Sequence, residues 1–179
     1  MAGHDTLLLE RAARIRLLVL DVDGVMTDGR LYFDSQGNEM KAFYTQDGLG
    51  LKAVQKFGIT LALISGRTSR MVADRASALG IEHVYQGRSE KLSAYLELQA
   101  RTGCSDEQTC YIGDDWIDLP VLTRAGLAVT VPEAVPAVLA RAHWVTTRSG
   151  GLGAVRDLCE LLLDAQGHSE AVLQGWLAP

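Results

Sequence analysis

Apolar residues follow two alternating rhythms along the chain. Short runs rich in aliphatic and β-branched residues occupy positions 16–20 (RLLVL), 59–64 (ITLALI), 109–112 (TCYI), 127–131 (LAVTV) and 143–147 (HWVTT). Between them, in 49–57, 68–79, 89–101, 116–125, 132–141 and 152–165, apolar residues recur at spacings of three and four, as in helices with one face in a core. Gly58, Gly80, Gly103 and Gly126 fall where those helices should stop, and Pro132 where one should start. The strand-like runs are apolar at successive positions, which predicts parallel strands covered on both faces. The fold class expected is α/β: a doubly wound, Rossmann-like parallel sheet with helices on both faces, formed as one domain over residues 1–179.

One segment breaks the alternation. Residues 30–33 and 39–43 are strand-like and are joined by the turn-rich DSQGN at 34–38, which predicts a β-hairpin. This insertion, spanning 30–44, follows the first strand and stands over the carboxyl edge of the sheet. Its aromatics Tyr32, Phe33, Phe43 and Tyr44 would leave an apolar flap on a monomer, so an oligomer interface is expected there.

Composition narrows the class of function. A chain of 179 residues, 47% hydrophobic and 22% charged, is an ordinary globular protein able to bury a core without staples. Seventeen Lys and Arg against 22 Asp and Glu, a formal charge of −5, argue against a broad nucleic-acid surface. Apolar runs such as 17–20 are far short of the ~20 residues that span a bilayer. Charges at Asp5, Glu10, Arg11, Arg14 and Arg16 break up any signal-peptide core. A cytoplasmic protein with no membrane partner is expected. Cys104, Cys110 and Cys159 match no zinc spacing, and idle reduced thiols are expected. His4, His83, His143 and His168 share no spacing and read as structural or solvated, and Trp116 and Trp144 read as packing residues.

Chemistry is sought where the strands end, because ligands of open parallel sheets bind outside the carboxyl ends. The first strand ends in Asp21-Val22-Asp23-Gly24, the second in Ser65-Gly66-Arg67, and the third in Gly113-Asp114-Asp115, with Asp118 three residues on. Five carboxylates converging on one edge repel one another unless a cation is present. Oxygen ligands without His or Cys favour Mg²⁺ over zinc. Lys91 lies in the first turn of a predicted helix, where a lysine opposes the positive helix end and implies a compensating anion.

These residues resemble the haloacid dehalogenase superfamily of phosphatases from about residue 15 to residue 165. Asp21 to Gly29 (DVDGVMTDG) looks like its first motif, Ser65 its second, Lys91 its third and Gly113 to Asp118 (GDDWID) its fourth. The segments 43–50 (FYTQDGLG) and 149–156 (SGGLGAVR), with the small hairpin, resemble a bacterial branch acting on sugar-acid phosphates of lipopolysaccharide synthesis. Members of that branch are homotetramers in which one subunit's surface completes the next subunit's site. Gln46 and Leu152 stand where that branch frequently has Arg. The resemblance implies that Asp21 attacks phosphorus and forms an aspartyl phosphate, while Asp23 protonates the leaving sugar oxygen and then activates water. It also implies that Ser65, backbone N–H groups after the first strand, Gly66 and Lys91 hold the phosphoryl group, that Asp118 orients Lys91, and that Mg²⁺ binds Asp21, the Asp23 carbonyl and Asp114. Asp115 remains a ligand, an outer group or an N-cap. Arg67 and Arg75 are candidates for a substrate carboxylate or are surface charges, and Asp47 is a helix N-cap or a sugar contact. Phosphatases of nine-carbon sialic-type acids share the signature. A phosphoacceptor receiver domain, or a silent scaffold of the same fold, is the alternative from another class.

Overall fold

The computed structural model describes residues 5–177, so His4 lies outside the described residues. In chain order the elements are α1 (Thr6–Ala13), β1 (Leu17–Leu20), β2 (Tyr32–Phe33), β3 (Glu39–Met40), α2 (Thr45–Lys56), β4 (Thr60–Ile64), α3 (Arg70–Leu79), β5 (His83–Tyr85), α4 (Lys91–Thr102), β6 (Thr109–Ile112), α5 (Leu119–Leu122), β7 (Leu127–Thr130), α6 (Pro136–Leu139), β8 (Trp144–Val145), α7 (Ala154–Ala165) and α8 (Ser169–Leu177). Six strands form one parallel sheet in the order β5-β4-β1-β6-β7-β8, and β2 pairs antiparallel with β3. The α/β, doubly wound architecture is as the apolar pattern predicted. Every residue of β1, β6 and β7 is buried, because α1, α2 and α7 cover one face while α4 and α5 pack on the other.

Register sets the functional edge. Leu20 of β1 is level with Leu63 of β4 and Ile112 of β6, and the Asp21 N–H donates to Ile112 O at 3.0 Å. The residues that follow β1, β4 and β6 therefore emerge side by side. From β1 the chain first builds outward through β4 and β5, then crosses to β6, so the strand order reverses beside β1. A crevice at such a switch point is where these sheets bind ligands.

Several local expectations are corrected. β5, a three-residue edge strand with two half-buried residues, is too short and too polar to show in the apolar pattern. The helix expected over 116–125 is a 3-10 turn at Trp116–Asp118 followed by the four-residue α5, with Pro120 in its first turn. The helix expected from Pro132 starts at Pro136. A proline inside a longer helix would cost an N–H bond and clash with the preceding turn, whereas one at the first turn costs nothing. Gly80 and Gly103 close α3 and α4 in the left-handed conformation, φ 70° and 71°. Trp116, expected to pack, is 70% exposed. In the hairpin Leu31, Phe33 and Met40 are exposed, but Phe43 packs against the core. All three cysteines are free thiols. His143 accepts the Ala128 N–H at 3.0 Å, and His168 stacks on Phe57. Among the described residues, no helix is long and apolar enough to cross a membrane.

Candidate active site

At the β1–β6 crevice one ammonium is shared by two carboxylates. Lys91, the first residue of α4, is buried and lies 2.7 Å from Asp21 and 2.6 Å from Asp118. The anion that its helix-start position implied is thus supplied from within. Asp118 is fully engaged: one oxygen accepts from Lys91 and from the Tyr111 hydroxyl at 2.5 Å, and the other accepts the N–H groups of Asp114 and Asp115 at 3.0 Å each. Those contacts bend the chain after β6 so that Asp114 turns toward Asp21. Asp118 also makes a reciprocal cap with Asp115, whose carboxylate accepts the Trp116 N–H at 2.7 Å. Of the three roles open to exposed Asp115, the cap is the one formed.

Asp21, Asp114 and Asp118 each offer an oxygen within 4.8 Å of the others. Asp118 has no free lone pair for a ligand, whereas the buried Oδ1 of Asp114 has no hydrogen-bond partner. Burial, then the charge of Asp118, raises the Asp21 pKa to about 8 despite Lys91. Burial, then Asp118 and Asp115, raises Asp114 to about 7. For Lys91, burial pulls downward but Asp21 and Asp118 outweigh it, and the ammonium is favoured. Carboxyls kept protonated beside an orphaned oxygen lack positive charge. An all-oxygen donor set of this kind fits a small hard cation such as Mg²⁺.

The segment after β1 is a tight loop shaped for close approach. Gly24 has φ 91°, and a Cβ there would fall 2.1 Å from Asp114 Oδ2, so only glycine admits that carboxylate. Thr27 Oγ1 accepts the Gly29 N–H at 3.2 Å. The loop is backed by the glycine segment: a Cβ on Gly150 would lie 1.9 Å from Gly24 O, and one on Gly151 2.5 Å from Asp28 N. Ser65, buried at the end of β4, accepts the Arg67 N–H at 3.3 Å and borders the same edge. Gly66 is open enough that a Cβ would meet only the Ile117 side chain at 3.3 Å and the Ser89 backbone at 4.0 Å. Asp23 pairs with Lys41 of the hairpin, and Arg67 with Glu39 at 3.2 Å.

Two candidates are engaged elsewhere. Asp47 is not the N-cap of α2, a position held by Tyr44. It is 2% exposed, and its Oδ1 accepts the Arg156 N–H at 2.8 Å, so it caps α7 from α2 and ties the two helices together. Burial raises its pKa to about 6, against the pull of the Arg156 N–H and Arg148. Arg75 lies over the Phe43 ring at 5.8 Å and donates to Tyr44 O at 3.5 Å. Neither contacts the carboxylate cluster. Arg148 was invisible in the sequence reading. It donates to Gln46 at 3.0 Å and to Asp157 at 2.7 Å and 2.8 Å, which suits a neutral acceptor at position 46. Lys41 and Tyr111 were also missed, the first because its hairpin looked like surface, the second because it sits in an apolar strand.

Comparison with known proteins bears on this geometry. A family model described as haloacid dehalogenase-like hydrolase matches residues 81–155. The 3-deoxy-D-manno-octulosonate 8-phosphate phosphatase KdsC of Yersinia pestis is 51% identical over 162 residues, covering 90% of this chain and 87% of that protein. The protein of that name from Escherichia coli K12 is 46% identical over 159 residues, covering 89% and 85%. A crystal structure of the Moraxella catarrhalis 3-deoxy-D-manno-octulosonate 8-phosphate phosphatase, in complex with a magnesium ion, a phosphate ion and KDO, superposes with a TM-score of 0.94. It is 43% identical and covers 97% of this chain and 99% of that one.

Proposed function

The chain belongs to the haloacid dehalogenase-like hydrolases, among the 3-deoxy-D-manno-octulosonate 8-phosphate phosphatases, and on that premise we propose that it is a Mg²⁺-dependent phosphomonoesterase of lipopolysaccharide biosynthesis. It hydrolyses 3-deoxy-D-manno-octulosonate 8-phosphate to the free sugar acid and phosphate. The observation that carries this reading is the Asp21–Lys91–Asp118 arrangement with the unpartnered Asp114 oxygen beside it. Asp21 and Asp114, with the Asp23 carbonyl, hold the metal, and that ion neutralises a phosphate dianion so that a carboxylate can approach it.

The residues divide the work as follows. Lys91, held by Asp118 and Tyr111, presents its ammonium to the phosphoryl oxygens beside Asp21. Ser65 and the Gly66 amide bind the remaining oxygens from the β4 end. An Asp21 oxygen attacks phosphorus and becomes an aspartyl phosphate, while Asp23 gives its proton to the leaving sugar oxygen. Asp23, now ionised, takes a proton from the water that hydrolyses the acyl phosphate. Arg67, exposed and paired with Glu39 at the edge of the site, binds the substrate carboxylate. Asp47 and Arg75 act indirectly, by fixing α2 against α7 and α3.

The hairpin is too small to close the site alone, and its exposed Leu31, Phe33 and Met40 support a homotetramer whose active sites lie near subunit boundaries. Cytoplasmic location fits the reduced thiols. Phosphate release from a panel of 3-deoxy-D-manno-octulosonate 8-phosphate, nine-carbon sialic-type acid phosphates and p-nitrophenyl phosphate tests the assignment. The octulosonate ester should give the highest kcat/KM, with activity lost in EDTA. A higher value for a nine-carbon acid, or stoichiometric phosphorylation without turnover, would contradict it.

A further inference from the structure

The hairpin carries a buried cation that none of the roles above uses. Lys41, one residue beyond β3, has a side chain only 1% exposed; its ammonium pairs with the Asp23 carboxylate and meets Glu39 Oε1 at 3.1 Å. Glu39 in turn accepts from Arg67 at 3.2 and 3.3 Å. Four alternating charges, Asp23, Lys41, Glu39 and Arg67, thus run from the loop after β1, across the hairpin, to the turn after β4. Enclosing a lysine costs hydration and side-chain entropy. The hairpin's own turn needs no such contact, since Asp34 already accepts the Gln36 and Asn38 N–H groups at 2.8 Å.

We infer that Lys41 is a positioning residue for the reaction that acts through Asp23, holding its carboxyl group in one rotamer at the edge of the site. This rests on the assignment of Asp23 as the acid and base. As an Asp21 lone pair forms the new P–O bond, the electrons of the breaking ester P–O bond stay with the sugar oxygen, which takes the Asp23 proton. Asp23 is left as a carboxylate. Held by Lys41, which Glu39 fixes in turn, the Asp23 carboxyl keeps one rotamer, and that keeps the acid within reach of the leaving oxygen.

The test compares kcat/KM of Lys41→Met with that of the unmodified chain, and repeats the comparison in an Asp23→Asn background. This ratio reports events up to departure of the leaving group. On 3-deoxy-D-manno-octulosonate 8-phosphate the loss should be about 10–100-fold. On p-nitrophenyl phosphate, whose phenolate leaves without a proton, it should be under about threefold, and in the Asp23→Asn background Lys41→Met should cost nothing further. Lys41→Gln, which keeps a donor, should recover part of the loss, and it carries the same comparison if Lys41→Met does not fold. Equal losses on both substrates, or the same loss with Asp23 already replaced, would overturn the inference. An unmodified chain inactive on both esters would instead overturn the phosphatase reading itself.

Discussion

Raising the pH of the metal-free protein from 6 to 8 should weaken its fold, and Mg²⁺ should remove that weakness. Asp21 and Asp114 stay protonated in the folded chain up to about pH 8 and about pH 7, while in an unfolded chain both ionise near pH 3.9. The folded state therefore holds protons that the unfolded state has already released, so stability is full below pH ~4 and is lost as pH rises through the folded values. At 1.36 kcal/mol per pKa unit, the interval from pH 6 to 8 removes about 2–4 kcal/mol. For a chain of this length that corresponds to a fall of roughly 5–15 °C in Tm. Asp47, titrating at about 6 in the folded chain, adds a loss at the low end. His143, lowered by burial and by Arg11, works in the opposite direction. Calorimetry in EDTA and in excess MgCl₂ across this range separates these effects, because only Asp21 and Asp114 exchange protons for metal. The difference between the two curves should widen with pH and shrink in Asp114→Asn. A metal-free Tm that is flat or rising from pH 6 to 8, or a fall that Mg²⁺ leaves untouched, would refute the reasoning.

Other consequences follow from particular contacts. Asp118→Asn removes the charge that Lys91 and Tyr111 share, costing about 1.5–3 kcal/mol of stability and about 10–100-fold in kcat; an unchanged kcat would show that Lys91 needs no such support. Gly150→Ala puts a methyl 1.9 Å from Gly24 O, so the loop carrying Asp21 and Asp23 must shift; a loss of about 100-fold in kcat/KM is expected, and normal kinetics would show that the loop is slack. Phe33→Glu, at a 58% exposed site, should leave the fold intact but dissociate the assembly in sedimentation experiments. It should also depress hydrolysis of the sugar phosphate more than that of p-nitrophenyl phosphate, and an intact tetramer would remove the hairpin from the interface.

How much of this was legible in the sequence depends on the length scale of the signal. The strands of the central sheet are apolar on both faces, and that alone revealed the fold class and the edge where Asp21, Ser65 and Asp114 emerge. Lys91 was legible because a cation at a helix start is out of place. β5 was not legible, since a three-residue edge strand with two half-buried positions draws its pairing from its neighbour rather than from its own pattern. Asp47 shows the limit most clearly. Its position in the first turn of α2 suggested a local cap, but its carboxylate reaches a helix more than a hundred residues later in the chain. Lys41 was lost for the opposite reason: a lysine in a hairpin reads as solvated until its two carboxylate partners are placed.

The central claim, covalent catalysis by Asp21, is tested most directly in an Asp23→Asn variant mixed rapidly with p-nitrophenyl phosphate and Mg²⁺. The phenolate should still leave without a proton donor, while hydrolysis of the acyl phosphate, deprived of its base, should slow about 10²–10⁴-fold. The account predicts a burst of one p-nitrophenol per active site and, after acid quench and borohydride reduction, homoserine at position 21. Steady turnover without a burst, or reduction at a carboxylate other than Asp21, would contradict it.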